Sequence, residues 1–227
     1  MNCKRILAVG LFISLLSACG GGSVIIEVPL PPPLPNVPQP NPQPNPPTLN
    51  CSTAGLAAAA QSRWPVVCML TSSGEMVIEL YSQDAPITVS NFLNHVNTSF
   101  YSNTLVHRVD KDFVVQGGGY HPGHVRKPSP FAPIVLEDNT QLTNARGTIA
   151  MARSSDPNSA TSEWFLNVVN NSALDGIPGR RGYAIFGQII SGLPVMDALN
   201  GVPVYRYTDT DLRPRTEVLT YWVRRVQ

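Results

Sequence analysis

Charge is scarce in this 227-residue chain: only 14% of residues are Asp, Glu, Lys or Arg, and the formal net charge is +1. That weighs against a nucleic-acid partner, because phosphate binding needs a concentrated basic patch. The nearest approach to one, Arg213, Arg215, Arg224 and Arg225 with Arg180 and Arg181 upstream, reads as solvated surface charge. The apolar run Ile6 to Leu16 has eleven residues, short of the ~20 that a membrane-spanning helix needs. No Gly-x-Ser-x-Gly elbow is present, which argues against a serine hydrolase of that design. Cysteine is limited to four residues, and His121 and His124 have too few thiol partners nearby for a zinc site. The sequence shows no internal repeat.

Proline, by contrast, is abundant. There are 22, and eleven of them fall between Pro29 and Pro47, where average usage would place about one. Proline fixes φ and removes a backbone donor, so this stretch suits neither helix nor sheet. It is expected to be a disordered, extended linker, reaching up to ~90 Å over some thirty residues at ~3.1 Å each. Composition thus splits the chain at this tract, and together with the cysteine motif described next it gives the expected segments 1–18, 19–50 and 51–227.

The first segment has the build of an export signal. Lys4 and Arg5 precede the apolar run, and Leu16-Ser17-Ala18-Cys19 follows it with small residues before a cysteine. This end resembles the lipobox of bacterial lipoproteins. The resemblance implies cleavage before Cys19, acylation of its thiol, and a chain anchored through lipid to a membrane of the cell envelope, facing the periplasm. Gly20 in place of an aspartate favours the outer membrane. Cys3 would leave with the signal, so Cys51 and Cys68 remain, an even number in an oxidising compartment. They are expected to pair; two free buried thiols are the alternative.

Downstream, the pattern predicts many short strands and few helices. Ser52 to Arg63 has the composition of a short helix. Val66 to Thr71 and Glu75 to Tyr81 read as strands about the turn Ser72-Ser73-Gly74, with Met76, Ile78 and Leu80 on one face. Ala85 to Val96 reads as an amphipathic helix, because Val89, Phe92, Leu93 and Val96 fall at helical spacing behind Pro86. Further strands are expected at Thr104 to Val109, Phe113 to Gln116, Gly147 to Ala152, Trp164 to Val168, Tyr183 to Ile190 and Glu217 to Val226, with a second helix at Leu193 to Leu199. The class is mainly β, a barrel or sandwich with capping helices.

A hairpin turning at Asp110-Lys111-Asp112 pairs residue 108 with residue 116. Directly opposed residues point to one side of a sheet, so Arg108 and Gln116 project together. Phe113 does not follow from that parity and needs an irregular turn. His107-Arg108 followed by Phe113-Val114-Val115-Gln116-Gly117-Gly118 resembles the central signature of cyclophilins. Gly147-Thr148-Ile149-Ala150-Met151-Ala152-Arg153, Ser162-Glu163-Trp164-Phe165, Leu174-Asp175-Gly176 and Ile185-Phe186-Gly187 resemble that family's later segments, in the same order.

The resemblance implies an eight-stranded antiparallel β-barrel capped by two α-helices, with a proline-binding groove on its outer wall. It implies rotation about X-Pro peptide bonds, with proline-containing polypeptides as partners. No cofactor or metal is required, because no bond is made or broken. The chain is expected to act as a monomer. Carried over residue by residue, Arg108 is the catalytic arginine, and Phe113, Val114, Phe165 and Leu174 line the proline pocket. Gln116, Glu163 and the backbone of Arg153 hold the peptide, and Ala152 and Tyr183 border the groove. Three positions depart from the pattern: Glu163 where glutamine is usual, Ala173 where an aromatic precedes Leu-Asp, and Arg153 where asparagine is common. A carboxylate at Glu163 could pair with Arg108 or change how the substrate backbone is held, and it is the feature that would favour a proline-peptide binding or scaffold module with weak or no turnover.

Overall fold

Alternation sets the architecture. In β1 (Val66–Thr71) Val67 and Met69 join one apolar cluster, whereas Val66 and Cys68 join another. Successive strand side chains point to opposite faces, so each strand buries one set of residues inside and offers the other set outside. In β2 (Gly74–Leu80) the inward set is Met76, Ile78 and Leu80, as the sequence predicts.

The computed structural model describes residues 50–138 and 141–227. The expected signal segment, Cys19 and the proline-rich linker lie outside the described residues. After β1 and β2 come β3 (Thr104–Asp110), β4 (Val114–Gly117), β5 (Tyr120–His121), β6 (Val125–Arg126), β7 (Thr148–Met151) and β8 (Trp164–Asn167). The chain continues with β9 (Ile185–Ser191), β10 (Val204–Arg206), β11 (Leu212–Pro214) and β12 (Val218–Arg225). Eight of these close a ring in the order β1-β12-β3-β4-β8-β7-β9-β2. Every neighbouring pair is antiparallel. Closure removes the exposed strand edges that would otherwise invite pairing with other chains. The pairs β5–β6 and β10–β11 form two small separate hairpins.

The family resemblance implies two capping helices; among the described residues there are three α-helices. α2 (Pro86–Asn97) places Val89, Phe92 and Val96 in the barrel-interior cluster. The Glu137 carboxylate satisfies its open N-terminus, accepting from the Ile87 and Thr88 amides at 3.0 and 2.7 Å. α3 (Leu193–Asn200) adds Met196 and Leu199 to the same cluster. The third helix is the short N-terminal α1 (Thr53–Ala59), capped by Ser52, whose hydroxyl accepts from the Gly55 amide at 3.0 Å. It ends at Ala59, before the predicted Arg63, with the Ala60 amide closing the last turn on the Leu56 carbonyl at 3.0 Å. Instead of closing a barrel end, α1 lies over the outer wall at β1, β2 and β9. There Cys51 and Ala59 pack with Val66, Cys68, Val77 and Trp222. Cys51 and Cys68 are joined in a disulfide, with Cα atoms 5.9 Å apart.

Candidate active site

The wall bearing Arg108 is built from β3, β4, β8 and β7. In β3 and β4 the register places Arg108 opposite Gln116 and Val109 opposite Val115. A bulge falls between Val106 and Arg108, leaving His107 unpaired. Its consequence is geometric. Val106 and Val109 are an odd number of residues apart, yet both enter the interior cluster. The extra residue absorbs the half-turn and re-aims its neighbours, as bulges beside functional sites do.

Phe113 reaches the same face through the irregular turn that parity requires. Asp112 has φ +56, and the Phe113 amide donates to the Asp110 carbonyl at 3.0 Å. Asn200 of α3 holds the turn. Its side-chain oxygen accepts from the Asp112 amide at 2.9 Å, and its NH₂ donates to the Asp112 carboxylate at 3.0 Å. From the far side Asn171 donates to the Phe113 carbonyl at 2.9 Å.

Arg108, Phe113, Val114, Gln116, Ala152, Arg153, Phe165, Leu174 and Tyr183 together line one cavity of ≈ 180 Å³. Val114, Ala150, Phe165 and Ile185 form its buried apolar floor, with Phe113, Leu142, Ala152, Leu174 and Tyr183 packed on it. Phe165 meets the Tyr183 ring edge to face at 5.4 Å. The Arg108 guanidinium donates to the Asp110 carboxylate at 2.7 Å and faces the Gln116 side-chain oxygen at 3.5 Å. Its Nε–H is buried without an acceptor among the described residues. A larger, more open hollow of ≈ 430 Å³ runs along α2, but its lining, which includes Pro86, Ile87 and Phe131, holds no ionisable side chain. It offers no group with which to act on a bound bond.

Leu174 and Tyr183 are set by a polar network. Leu174 ends a 3-10 turn (Ser172–Leu174), and its carbonyl accepts from the Tyr183 amide at 3.2 Å. The next residue, Asp175, accepts from the Asn144 amide at 2.6 Å and from its side chain at 2.8 Å. Asn144 accepts from Asn167, which in turn accepts from Asn171. This chain links the Leu174 side of the cavity to the Phe113 side.

Of the ten expected residues, Glu163 is the one that does not line the cavity. It sits behind Gln116, accepting from the Gln116 NH₂ at 2.8 Å, and it pairs with His107 at 3.3 Å and Arg126 at 3.4 Å. Burial pushes its carboxyl up, but the His107 and Gln116 hydrogen bonds and the charges of His107 and Arg126 outweigh that, and it titrates below its ordinary value. Arg108 pairs with Asp110 instead. Sequence reasoning treated Asp110 only as part of a turn, although an acid two residues from Arg108 on the same strand was a usable signal. Asn171 and Asn200 carried no such signal.

The family model described as cyclophilin type peptidyl-prolyl cis-trans isomerase/CLD matches residues 66–220. The chain belongs to this family. It is 43% identical over 142 residues to a peptidyl-prolyl cis-trans isomerase of Acinetobacter baylyi, covering 63% of this chain and 75% of that one. It is 41% identical over 145 residues to peptidyl-prolyl cis-trans isomerase B of Escherichia coli, covering 62% and 87%. Among solved structures, a Cryptosporidium parvum cyclophilin-type isomerase determined in the presence of the dipeptide Ala-Pro is similar, with TM-score 0.62 and 25% identity over 71% of this chain and 99% of that one.

Two departures from the cyclophilin pattern now have a place. The Arg153 side chain donates to the Gly182 carbonyl at 3.0 and 3.1 Å and to the Arg181 carbonyl at 3.2 Å, and lies 4.6 Å over the Tyr183 ring. It fastens the loop that carries Tyr183. Ala173 is exposed in the turn before Leu174 and adds no ring to the rim.

Proposed function

We propose that this cyclophilin catalyses cis–trans rotation about X-Pro bonds of exported polypeptides, with Arg108 as its catalytic residue, acting as a monomer tethered through a lipidated Cys19. The observation that carries the reading is the convergence of Arg108 with Phe113, Val114, Gln116, Phe165 and Leu174 on one cavity.

Resonance sets a barrier of ~18–20 kcal/mol to rotation of the peptide bond. At the half-turned state resonance is lost and the prolyl nitrogen regains a lone pair. A donor aimed at that nitrogen binds the twisted form better than either planar form, and only such a difference accelerates the reaction. Arg108 is permanently charged and carries donors in a rigid plane. Asp110 fixes that plane by a short ion pair. The apolar floor clasps the proline ring and keeps water from the charge, which strengthens the interaction. A rate gain of ~10⁶ corresponds to about 8 kcal/mol of preference for the twisted state.

The feature that favours a binding module is Glu163, whose carboxylate could compete for Arg108 or alter how the peptide is held. Glu163 lies behind Gln116 and is bound to other partners, which supports turnover over mere binding. Placement at the outer membrane, facing the periplasm, rests on the lipobox-like segment and on Gly20 after Cys19.

The test is the isomerisation rate of an X-Pro peptide with the full chain. Arg108→Ala is expected to bring turnover close to the uncatalysed rate with an unchanged circular dichroism spectrum. Undiminished turnover in that variant overturns the mechanism. A wild-type chain that binds the peptide but leaves its exchange rate unchanged supports the scaffold reading instead.

A further inference from the structure

Resting on that reading, we propose that Glu163 is a positioning residue: it fixes the Gln116 carboxamide so that its oxygen faces Arg108.

The argument is one of donors and acceptors. A carboxylate only accepts hydrogen bonds and a guanidinium only donates, whereas a carboxamide has one end of each kind. Gln116 lies between the two, with its NH₂ 2.8 Å from Glu163 and its oxygen 3.5 Å from Arg108. Only this orientation satisfies both neighbours. Turning the amide over would set NH₂ against guanidinium and oxygen against carboxylate. Glu163 therefore selects the rotamer from behind Gln116, outside the cavity lining.

The carboxylate is itself held in place. Its side chain is 18% exposed, and the same oxygen that accepts from Gln116 lies 3.3 Å from His107 Nε2. Its other oxygen lies 3.4 Å from Arg126 Nη1, on the β5–β6 hairpin. The bulge at His107 supplies one of these partners and the hairpin supplies the other. Gly119 leaves the space, since a Cβ there would stand 2.5 Å from Glu163 Oε1. The result is a line from His107 through Glu163 and Gln116 to Arg108, with the charged acceptor where other cyclophilins are expected to carry a neutral amide.

The test is a series at position 163 in the ¹⁵N-labelled full chain, read in two ways. Glu163→Gln keeps an acceptor, Glu163→Leu removes it, and Glu163→Lys replaces it with a donor. The first readout is solvent exchange of the Gln116 side-chain amide protons. They are expected to be protected in the wild type and in Glu163→Gln, and unprotected in Glu163→Leu and Glu163→Lys. The second is turnover. Glu163→Lys is expected to lower kcat about tenfold with KM within about twofold, the mark of an interaction felt only at the transition state. Glu163→Gln is expected to restore kcat to within about twofold. Dispersed backbone resonances identify the variants that fold. Unchanged amide protection in Glu163→Leu, or full kcat in a folded Glu163→Lys, overturns the inference. Either result leaves the Arg108 mechanism standing, whereas full turnover in Arg108→Ala removes that mechanism whatever position 163 does.

Discussion

His95 is fully buried on the inner side of α2. Its Nδ1 lies 2.8 Å from the Asn91 carbonyl and its Nε2 lies 2.9 Å from the Ser129 hydroxyl, with the rings of Phe100, Tyr101 and Phe131 around it. Burial lowers its pKa below the ordinary 6.5, and the Asn91 carbonyl only partly opposes this. Between the depressed folded value and about pH 6.5 the folded state therefore holds fewer protons than the unfolded chain, so stability rises with pH in that window. The contribution of the neutral ring is complete above ~6.5 and is lost as the pH falls from there toward the depressed folded value. Unfolding in urea at several pH values should show this fall in the wild type and a flatter profile in His95→Gln, which does not titrate. Equal slopes in the two proteins would exclude His95 as the source.

The same scale shows what a residue string conveys about a site. Arg108 and Gln116 could be paired from the hairpin's centre, because alternation has a fixed period of two. The bulge at His107 could not be found that way. No proline or glycine marks it, and its cause is the need of Val106 and Val109 to share the interior. Phe113 reaches the cavity through a left-handed Asp112 held by Asn200, 88 positions along the chain. Glu163 was recognised as unusual, with pairing to Arg108 one of two roles left open, but His107 and Arg126 were not identified as its partners. Deciding between Arg108, His107 and Arg126 needs the depth of each side chain, which spacing alone does not supply.

Among the elements, the barrel strands and the two longer helices were legible because each repeats its pattern over several residues. Predicted bounds such as Val66 to Thr71 coincide with the strand, and others differ by a residue or two at the ends. The hairpins β5–β6 and β10–β11 were not foreseen, since strands of two or three residues have no period to read. One of them brings Arg126 to Glu163. α1 lies outside the stretch that matches the family, which begins at Val66. It is held by the disulfide and by Glu75, which accepts from the Ser52 amide at 2.8 Å and from its hydroxyl at 2.6 Å. Removing the cross-link with Cys51→Ala and Cys68→Ala together should cost about 3 kcal/mol in the chain-entropy view of a loop of this length. Turnover of a short X-Pro peptide should stay within about twofold, because widely separated sites act independently. Chemical denaturation beside the isomerase assay measures both. A double variant as stable as the wild type would mean that packing and Glu75 hold α1 without help from the cross-link.

At the scale of the whole domain the apolar residues fall into three clusters: the barrel interior, the floor of the groove, and the wall beneath α1. Strand order relates the outer two. The groove is centred on β3, β4, β8 and β7, with Ile185 of β9 in its floor, whereas α1 is centred on β2, between β9 and β1, opposite β4 and β8 on the closed ring. Asn50, the first described residue, therefore joins the domain at the wall away from the groove, beside the bonded Cys51. If Cys19 carries the lipid, anchoring and catalysis are separable in this chain. Cys19→Ser should move the protein from the membrane to the soluble fraction while its kcat/KM on a short soluble peptide stays within about twofold. Fractionation of cells expressing each form, followed by the isomerase assay, reads both quantities. A Cys19→Ser protein that remains with the membrane would place the anchor elsewhere. A released protein that loses turnover would mean that the groove depends on its attachment, contrary to the opposite placement of α1 and Arg108 on the ring.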